Sequence, residues 1–236
     1  MPAPTDPETI ALLRLVRREL RAAGDATRAR QMAAYMKTDM PFYGVQKPAR
    51  VRIERAVLDR FPLETRAAYR HAVTTLWAEP QREAKYLAIQ LARRRDQFIT
   101  LASVPMYERM IRQGAWWDFV DDLAIRLVGR VQAKSRAAMR KRLDRWIEDR
   151  DMWIRRAAII SQIVQKENTD AAQLFDYCRR CMHEKPFFIR KAIGWALRSF
   201  AATDPAAITE FLRVHRDELS PLSFREAAKW LAIHRA

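Results

Sequence analysis

The chain has 236 residues, of which 49% are hydrophobic and 31% charged, so it is long enough to fold around a sizeable core and is not a disordered chain. Its 44 Lys and Arg outnumber its 28 Asp and Glu, which gives a formal net charge of +16. No apolar run approaches the about 18 residues that a membrane span needs, and the N-terminus lacks the pattern of a secretory signal. Two cysteines exclude a disulfide framework and predict a reducing, cytoplasmic location.

The excess of basic residues favours a polyanionic partner, and nucleic acid accounts for it best. One alternative is a protein with an arginine-rich surface and no anionic partner. The other is an anionic membrane surface. The basic residues are spread along the chain rather than gathered on one amphipathic helix, which speaks against the membrane.

Spacing along the chain predicts an all-α fold. Five glycines are too few for a hairpin-rich β protein, and apolar residues recur at helical intervals. In chain order, the two clearest apolar stripes are Leu12, Leu13, Val16 and Leu20, then Val120, Leu123, Leu127 and Val131. Prolines stand where such runs begin, at positions 48, 62, 80, 186, 205 and 221. These signals indicate roughly a dozen helices joined by short connections.

A repeat runs from Arg82 towards the C-terminus of the chain. The related segments are Arg82-Glu83-Ala84, Arg155-Arg156-Ala157, Arg190-Lys191-Ala192 and Arg225-Glu226-Ala227. The last three begin 35 residues apart, and the first lies 73 residues upstream, close to two periods. This period predicts a HEAT-like helical-repeat solenoid that is curved and has a basic concave face lined by equivalent helices.

The period also predicts which side chains are neighbours. Asp121, Arg156 and Lys191 are separated by 35 residues each and should follow one another along a stripe. Trp117 lies four residues before Asp121 and Trp195 four after Lys191, so each tryptophan shares a helix face with its partner. Two interpretations remain for these tryptophans. They belong to the core, as is usual in helical repeats, or they stand exposed beside the stripe.

The segment 116–121 combines aromatic and acidic residues on one predicted helix. Trp116 is in phase with Val120 and Leu123 and is predicted to be core. Trp117 lies about 100° further round, at the edge of the apolar stripe. A carboxylate on a nucleic-acid-binding surface weakens binding, so Asp121 is either incidental or placed where positive charge develops on a substrate.

Other chemical signals are weak. The CxxC segment 178–181 stands alone, and zinc needs a second pair of ligands, so no metal site is predicted. The four histidines form no HExxH motif, and no glycine-rich phosphate loop occurs. The sequence therefore predicts no metal and no cofactor.

From about Tyr35 to the C-terminus, the chain resembles the AlkD-like DNA alkylation repair glycosylases, which consist of HEAT-like repeats. The segments that carry the resemblance are Tyr35-Met36-Lys37, Phe42-Tyr43-Gly44-Val45-Gln46, Trp116-Trp117-Asp118-Phe119-Val120-Asp121, Trp153-Ile154-Arg155-Arg156-Ala157-Ala158-Ile159, Phe187-Phe188-Ile189-Arg190-Lys191-Ala192-Ile193-Gly194-Trp195 and Pro221-Leu222-Ser223-Phe224-Arg225-Glu226-Ala227. The resemblance implies a single domain over 1–236, with a weakly matched N-terminal helix region at 1–25.

The resemblance also implies roles for individual residues. The catalytic residues would be Asp121, Trp117 and Trp195. The DNA-binding residues would be Arg156, Tyr35, Gln46, Lys191 and Arg190, with Arg156 holding a phosphate next to the lesion.

The implied activity is excision of cationic alkylpurines, such as 3-methyladenine and 7-methylguanine, from duplex DNA by a monomeric, monofunctional glycosylase. The expected location is then the bacterial cytosol, in association with the nucleoid. Two alternatives remain: a non-catalytic helical-repeat module that binds bent or branched DNA, and a protein-protein scaffold without salt-dependent DNA binding.

Overall fold

The structure, a computed structural model, describes residues 6–233, and the regular structure within that range is entirely helical. The α-helices are α1 Pro7–Ala22, α2 Ala26–Met36, α3 Lys47–Leu58, α4 Arg66–Ala78, α5 Arg82–Arg93, α6 Val104–Gly114, α7 Trp117–Leu123, α8 Gly129–Lys134, α9 Arg136–Trp146, α10 Met152–Ile160, α11 Ala171–Cys181, α12 Phe187–Ala201, α13 Pro205–Val214 and α14 Pro221–Ile233. A π-helical segment, Ala124–Val128, joins α7 to α8. The predicted all-α class is confirmed.

Local sequence accounts for most of the helix starts. Seven helices begin after a side chain that accepts a backbone N–H of the first turn, as an N-cap does. These residues are Asp6, Asp25, Thr65, Asp151, Asp170, Asp204 and Ser220. Pro48 and Pro205 lie in the first turns of α3 and α13, where the missing N–H costs nothing. Pro186 is the N-cap residue of α12.

The chain divides into two compact units, Met1–Ile99 and Thr100–Ala236. In the first unit, α1 packs on α3, α4 and α5, and its stripe residues Leu12, Val16 and Leu20 are fully buried. The Glu83 carboxylate, also fully buried, accepts the backbone N–H groups of residues 43–45 at 2.9–3.0 Å. This contact fixes the loop that leads into α3. The predicted single domain over 1–236 stays a prediction.

The second unit carries the 35-residue repeat. Helices α10, α12 and α14 begin at Met152, Phe187 and Pro221, which are 35 and 34 residues apart. α12 lies between the other two and packs on both. Equivalent helices of successive repeats are therefore neighbours, as the period predicts, and α7 also packs on α10.

Among residues 6–233, no helix is both long and apolar enough to span a membrane.

Candidate active site

The acidic segment begins with a break between helices. α6 ends at Gly114, and Ala115 adopts a left-handed conformation with φ of 38°. Trp116 is then extended and caps α7, whose first residue is Trp117. The prediction that Trp116 lies within the helix is therefore wrong. The sharp turn at Ala115 starts the helix one residue later.

Trp116 nevertheless packs, although from outside the helix. Its ring centroid lies 5.4 Å from that of Phe188 and 6.0 Å from that of Trp153. Trp153 and Phe188 are themselves 4.9 Å apart, so the three rings form an aromatic cluster. This cluster connects the start of α7 to α10 and α12.

Trp117, the next residue, is exposed. Its exposed fraction is 37%, against 0% for Phe119 and Val120, which face the core. Of the two interpretations of Trp117, the exposed one is confirmed. Trp195, on α12, is half-buried.

Asp121 and Arg156 form a two-pronged ion pair. Arg156 Nε donates to Asp121 Oδ1 at 2.7 Å, and Nη2 donates to Oδ2 at 2.8 Å. The exposed fractions of the side chains are 16% for Asp121 and 4% for Arg156. The predicted contact between residues one repeat apart is therefore confirmed. Pairs of this geometry are among the strongest hydrogen-bonded contacts in proteins.

The third nitrogen of Arg156 is also occupied. Nη1 donates to the Phe188 carbonyl oxygen at 2.6 Å, so the guanidinium links α7, α10 and α12. The predicted phosphate contact of Arg156 stays a prediction, because here its guanidinium is paired within the protein and its side chain is only 4% exposed. In the structure Arg156 is the group that orients Asp121.

Burial controls the charge of Asp121. Removal from water raises the pKa of its carboxyl group, and the hydrogen bond and charge of Arg156 oppose that rise. The nearby charges of Asp118 and Asp122 raise the pKa further. The net pKa lies above that of an ordinary aspartate. The site thus holds an oriented carboxylate in a largely dry setting, close to the exposed indole of Trp117.

A close approach of two backbone segments sets the distance between the parts of the chain that carry Asp121 and Arg156. Gly129 follows the π-helical segment, and a Cβ there would lie 2.2 Å from the carbonyl oxygen of Ser161. Ser161 ends α10, the helix of Arg156. Only glycine allows this approach, so Gly129 sets the distance between the two polypeptide segments that carry the pair.

The stripe continues beyond Lys191 to a residue that sequence reasoning missed. Lys191 Nζ lies 2.8 Å from Glu226 Oε1, and Glu226 is buried with an exposed fraction of 4%. Glu226 is 35 residues after Lys191, so one more step along the period would have found it. Arg190, beside Lys191, accepts a hydrogen bond from Ser223 through its carbonyl oxygen.

Two further predicted residues belong to the first unit. Tyr35, near the end of α2, is 78% exposed. Gln46 is the N-cap residue of α3, is exposed, and makes no capping bond with its side chain. Both side chains are accessible to a ligand, and their DNA-binding roles stay predictions.

The two cysteines are buried free thiols. Burial raises the pKa of both, that of Cys181 to about 12, so neither provides a thiolate. Among the described residues, no group of three or more His, Cys, Asp or Glu could hold a metal ion.

Comparison with known proteins places this chain in a family. Residues 16–231 match the family model described as DNA alkylation repair enzyme. A solved structure described as a predicted DNA alkylation repair enzyme from Enterococcus faecalis is similar, with a TM-score of 0.81 and 29% sequence identity. The similarity covers 89% of this chain and 97% of the other. No curated protein matched.

Proposed function

Because the chain belongs to the DNA alkylation repair enzyme family, we propose that it is a monofunctional DNA glycosylase acting on cationic alkylpurines in duplex DNA. The proposed lesions are 3-methyladenine and 7-methylguanine. The observation that carries the proposal is the Asp121 carboxylate, which Arg156 holds by both oxygens beside the exposed Trp117.

The chemistry of these lesions suits a site with a carboxylate and no acid to protonate the base. An alkylated purine already carries a positive charge and leaves as a neutral base when the N-glycosidic bond breaks. The sugar then becomes positive at C1′, and a fixed carboxylate stabilises that charge more strongly in the transition state than in the ground state. Water adds to C1′ to complete the hydrolysis.

Two tryptophans have a role in the same step. Trp117 is one helical turn from Asp121 and offers an exposed indole face. Trp195 would meet the deoxyribose from α12, which packs on α10 as α7 does. A positive sugar next to an aromatic face gains cation–π stabilisation, which adds to that of the carboxylate.

The proposal specifies hydrolysis without strand cleavage. A glycosylase that also cleaves the strand uses an amine to form an imine with the sugar. Lys191 is the lysine on the stripe, and its ammonium group is bound by Glu226. An imine-forming lysine must be a free amine, so Lys191 is not placed for that role.

The first prediction tests the carboxylate. Asp121→Asn keeps the shape of the side chain and removes its charge, and single-turnover excision of 7-methylguanine should slow by about 10²–10³-fold. Asp122→Asn is the matched control, because it removes the same charge from the same helix and should excise at nearly the wild-type rate. Near-normal release by the Asp121 variant would overturn the assignment.

The same assay separates the proposal from the alternative of a DNA-binding module. Free base released from methylated DNA by the wild-type protein supports the enzyme. Tight DNA binding without any release supports the module.

A further inference from the structure

A buried carboxylate in the second unit gathers three basic side chains. Glu226 Oε1 lies 2.8 Å from Lys191 Nζ, and Oε2 accepts from Arg198 Nη1 at 2.8 Å. Lys229 Nζ also binds Oε1. The carboxylate side chain is 6% exposed, whereas those of Lys191, Arg198 and Lys229 are 36%, 32% and 53% exposed. The acid therefore lies beneath the cations, and the cations reach solvent.

Two helices bring these groups together. On α12, Lys191, Trp195 and Arg198 are at positions i, i+4 and i+7, which lie on one face. On α14, Glu226 and Lys229 are one turn apart. α14 approaches α12 at Gly194, where a Cβ would lie 2.5 Å from the Glu226 Cβ. This approach lets one carboxylate reach both basic residues of α12.

The cluster has more positive charge than its own carboxylate needs. Three cations surround one anion, so the cluster has a net charge of +2. Burial alone would raise the pKa of Glu226, but the hydrogen bonds and charges of Lys191 and Lys229 lower it to about 2. Glu226 thus stays anionic and holds the cations in place, while most of their donors remain available. A second anion can bind without the ordering cost that flexible basic side chains usually carry.

We propose that three basic side chains form a clamp for one phosphodiester of the DNA backbone beside Trp195. The clamp consists of Lys191, Arg198 and Lys229, which the buried carboxylate of Glu226 holds in place. Ammonium and guanidinium groups provide the charge-assisted donors that phosphate oxygens bind. Trp195 lies between Lys191 and Arg198 on α12, so the bound phosphate would adjoin the sugar that Trp195 contacts. The inference rests on the proposed function in taking duplex DNA as the ligand.

The experiment pairs protein variants with single neutral linkages in the DNA. Each duplex in a series contains a stable abasic analogue and one neutral methylphosphonate linkage, and the position of that linkage differs from one duplex to the next. Binding is measured by fluorescence anisotropy at fixed salt. For wild type, one linkage near the analogue should weaken binding by about tenfold, the effect of losing one charged hydrogen-bonded contact. The same linkage should have little effect on the double variant Arg198→Gln/Lys229→Gln. The variant has already lost the contact with that phosphate, and the effects of removing two groups that contact each other are not additive.

A matched double variant, Lys141→Gln/Arg213→Gln, removes the same charge from exposed positions outside the clamp. It should keep the wild-type sensitivity to that linkage. If the clamp variant and the control respond equally at every linkage, the proposal is wrong.

Glu226→Gln provides a second measurement. It adds one unit of positive charge, so a surface acting by charge alone would bind DNA more tightly and keep its sensitivity to the neutral linkage. A clamp that loses the charged carboxylate of Glu226 should lose that sensitivity. Should this variant fail to fold, as a thermal melt would show, the comparison of Arg198→Gln/Lys229→Gln with its control decides the outcome. These binding measurements need no base release, so failure of excision would refute the proposed function without refuting the clamp.

Discussion

At the scale of single residues, the site depends on one carboxylate whose two oxygens are both held by Arg156. Holding the acid in this way fixes its orientation before substrate arrives, so no reorganisation is needed as charge develops on the sugar. The pairing has a cost as well, because Arg156 neutralises part of the field of Asp121. The exposed 16% of the Asp121 side chain is the part that a sugar can approach.

The raised pKa of Asp121 makes excision sensitive to acid. In the proposed mechanism the ionised form of Asp121 is the active one, so the single-turnover rate should be constant above its pKa and fall as the pH drops through it. The midpoint should lie above 3.8, the ordinary value of an aspartate, because burial favours the protonated acid. Rates measured over a pH series test this. A rate that stays constant down to the ordinary aspartate range would contradict it.

Removing Arg156 should destabilise the fold. Arg156→Gln leaves a buried carboxylate without its partner, and such losses are about 3–5 kcal/mol. Denaturant unfolding measures the change. Arg213→Gln, which breaks an exposed pair with Glu210, should have no measurable effect. The double variant Arg156→Gln/Asp121→Asn should recover part of the loss, since it removes the unpaired charge. Wild-type stability in Arg156→Gln would show that the pair contributes nothing.

At the scale of helices, α10 is the element that connects the site. It packs on α7, which carries Asp121, and on α12, which carries Lys191 and Trp195. The π-helical segment continues α7 into α8, and Gly129, the first residue of α8, meets the end of α10. Such segments are rare and often occur at functional sites.

Gly129→Ala tests this close approach. Alanine is the better helix former by about 1 kcal/mol, so propensity alone predicts a more stable protein. The new Cβ would instead lie 2.2 Å from a backbone oxygen of Ser161, which cannot rotate away, so α10 has to shift. We expect lower stability in denaturant and slower excision by the folded fraction. Ala133→Gly, at an exposed position on α8, should lower stability without slowing excision. A stabilised, fully active Gly129→Ala protein would rule out this role.

At the scale of the whole molecule, charge determines the partner. A net charge of +16 attracts the phosphate backbone whatever its sequence, and bound cations displace counterions from DNA. Arg156 does not contribute to this attraction in the closed pair, because its side chain is almost fully buried. The solvent-accessible basic residues provide it, and the proposed clamp residues Arg198 and Lys229 are among them.

Affinity for undamaged duplex DNA should therefore fall by about tenfold or more between about 50 and 200 mM salt. Fluorescence anisotropy with a labelled duplex measures the slope. Asp121→Asn should show a similar slope to wild type, because Asp121 releases no counterions. Binding that does not depend on salt, or no binding at all, would favour the protein-protein scaffold instead.

The helices and the neighbours within the repeat are predictable from the sequence, because both follow from regular spacing. Apolar residues such as Leu12, Val16 and Leu20 mark a buried face directly. Repeats of equal length place residues 35 apart on adjacent helices, which is why the Asp121–Arg156 contact could be predicted. The start of α7 could not be, because the left-handed turn at Ala115 follows from chain geometry rather than apolar spacing.

By itself, the sequence determined the helical class, the order of charges along the stripe and the excess of positive charge, since these depend on periodicity and composition. Only the tertiary structure decided what each charge does. It buries Arg156 against Asp121 and places Glu226 beneath Lys191, Arg198 and Lys229. The reason is physical: the period makes two residues neighbours, but the distance and rotation of their helices decide which side chains meet. Those are set by contacts such as Gly129 with Ser161, which no spacing along the chain reveals.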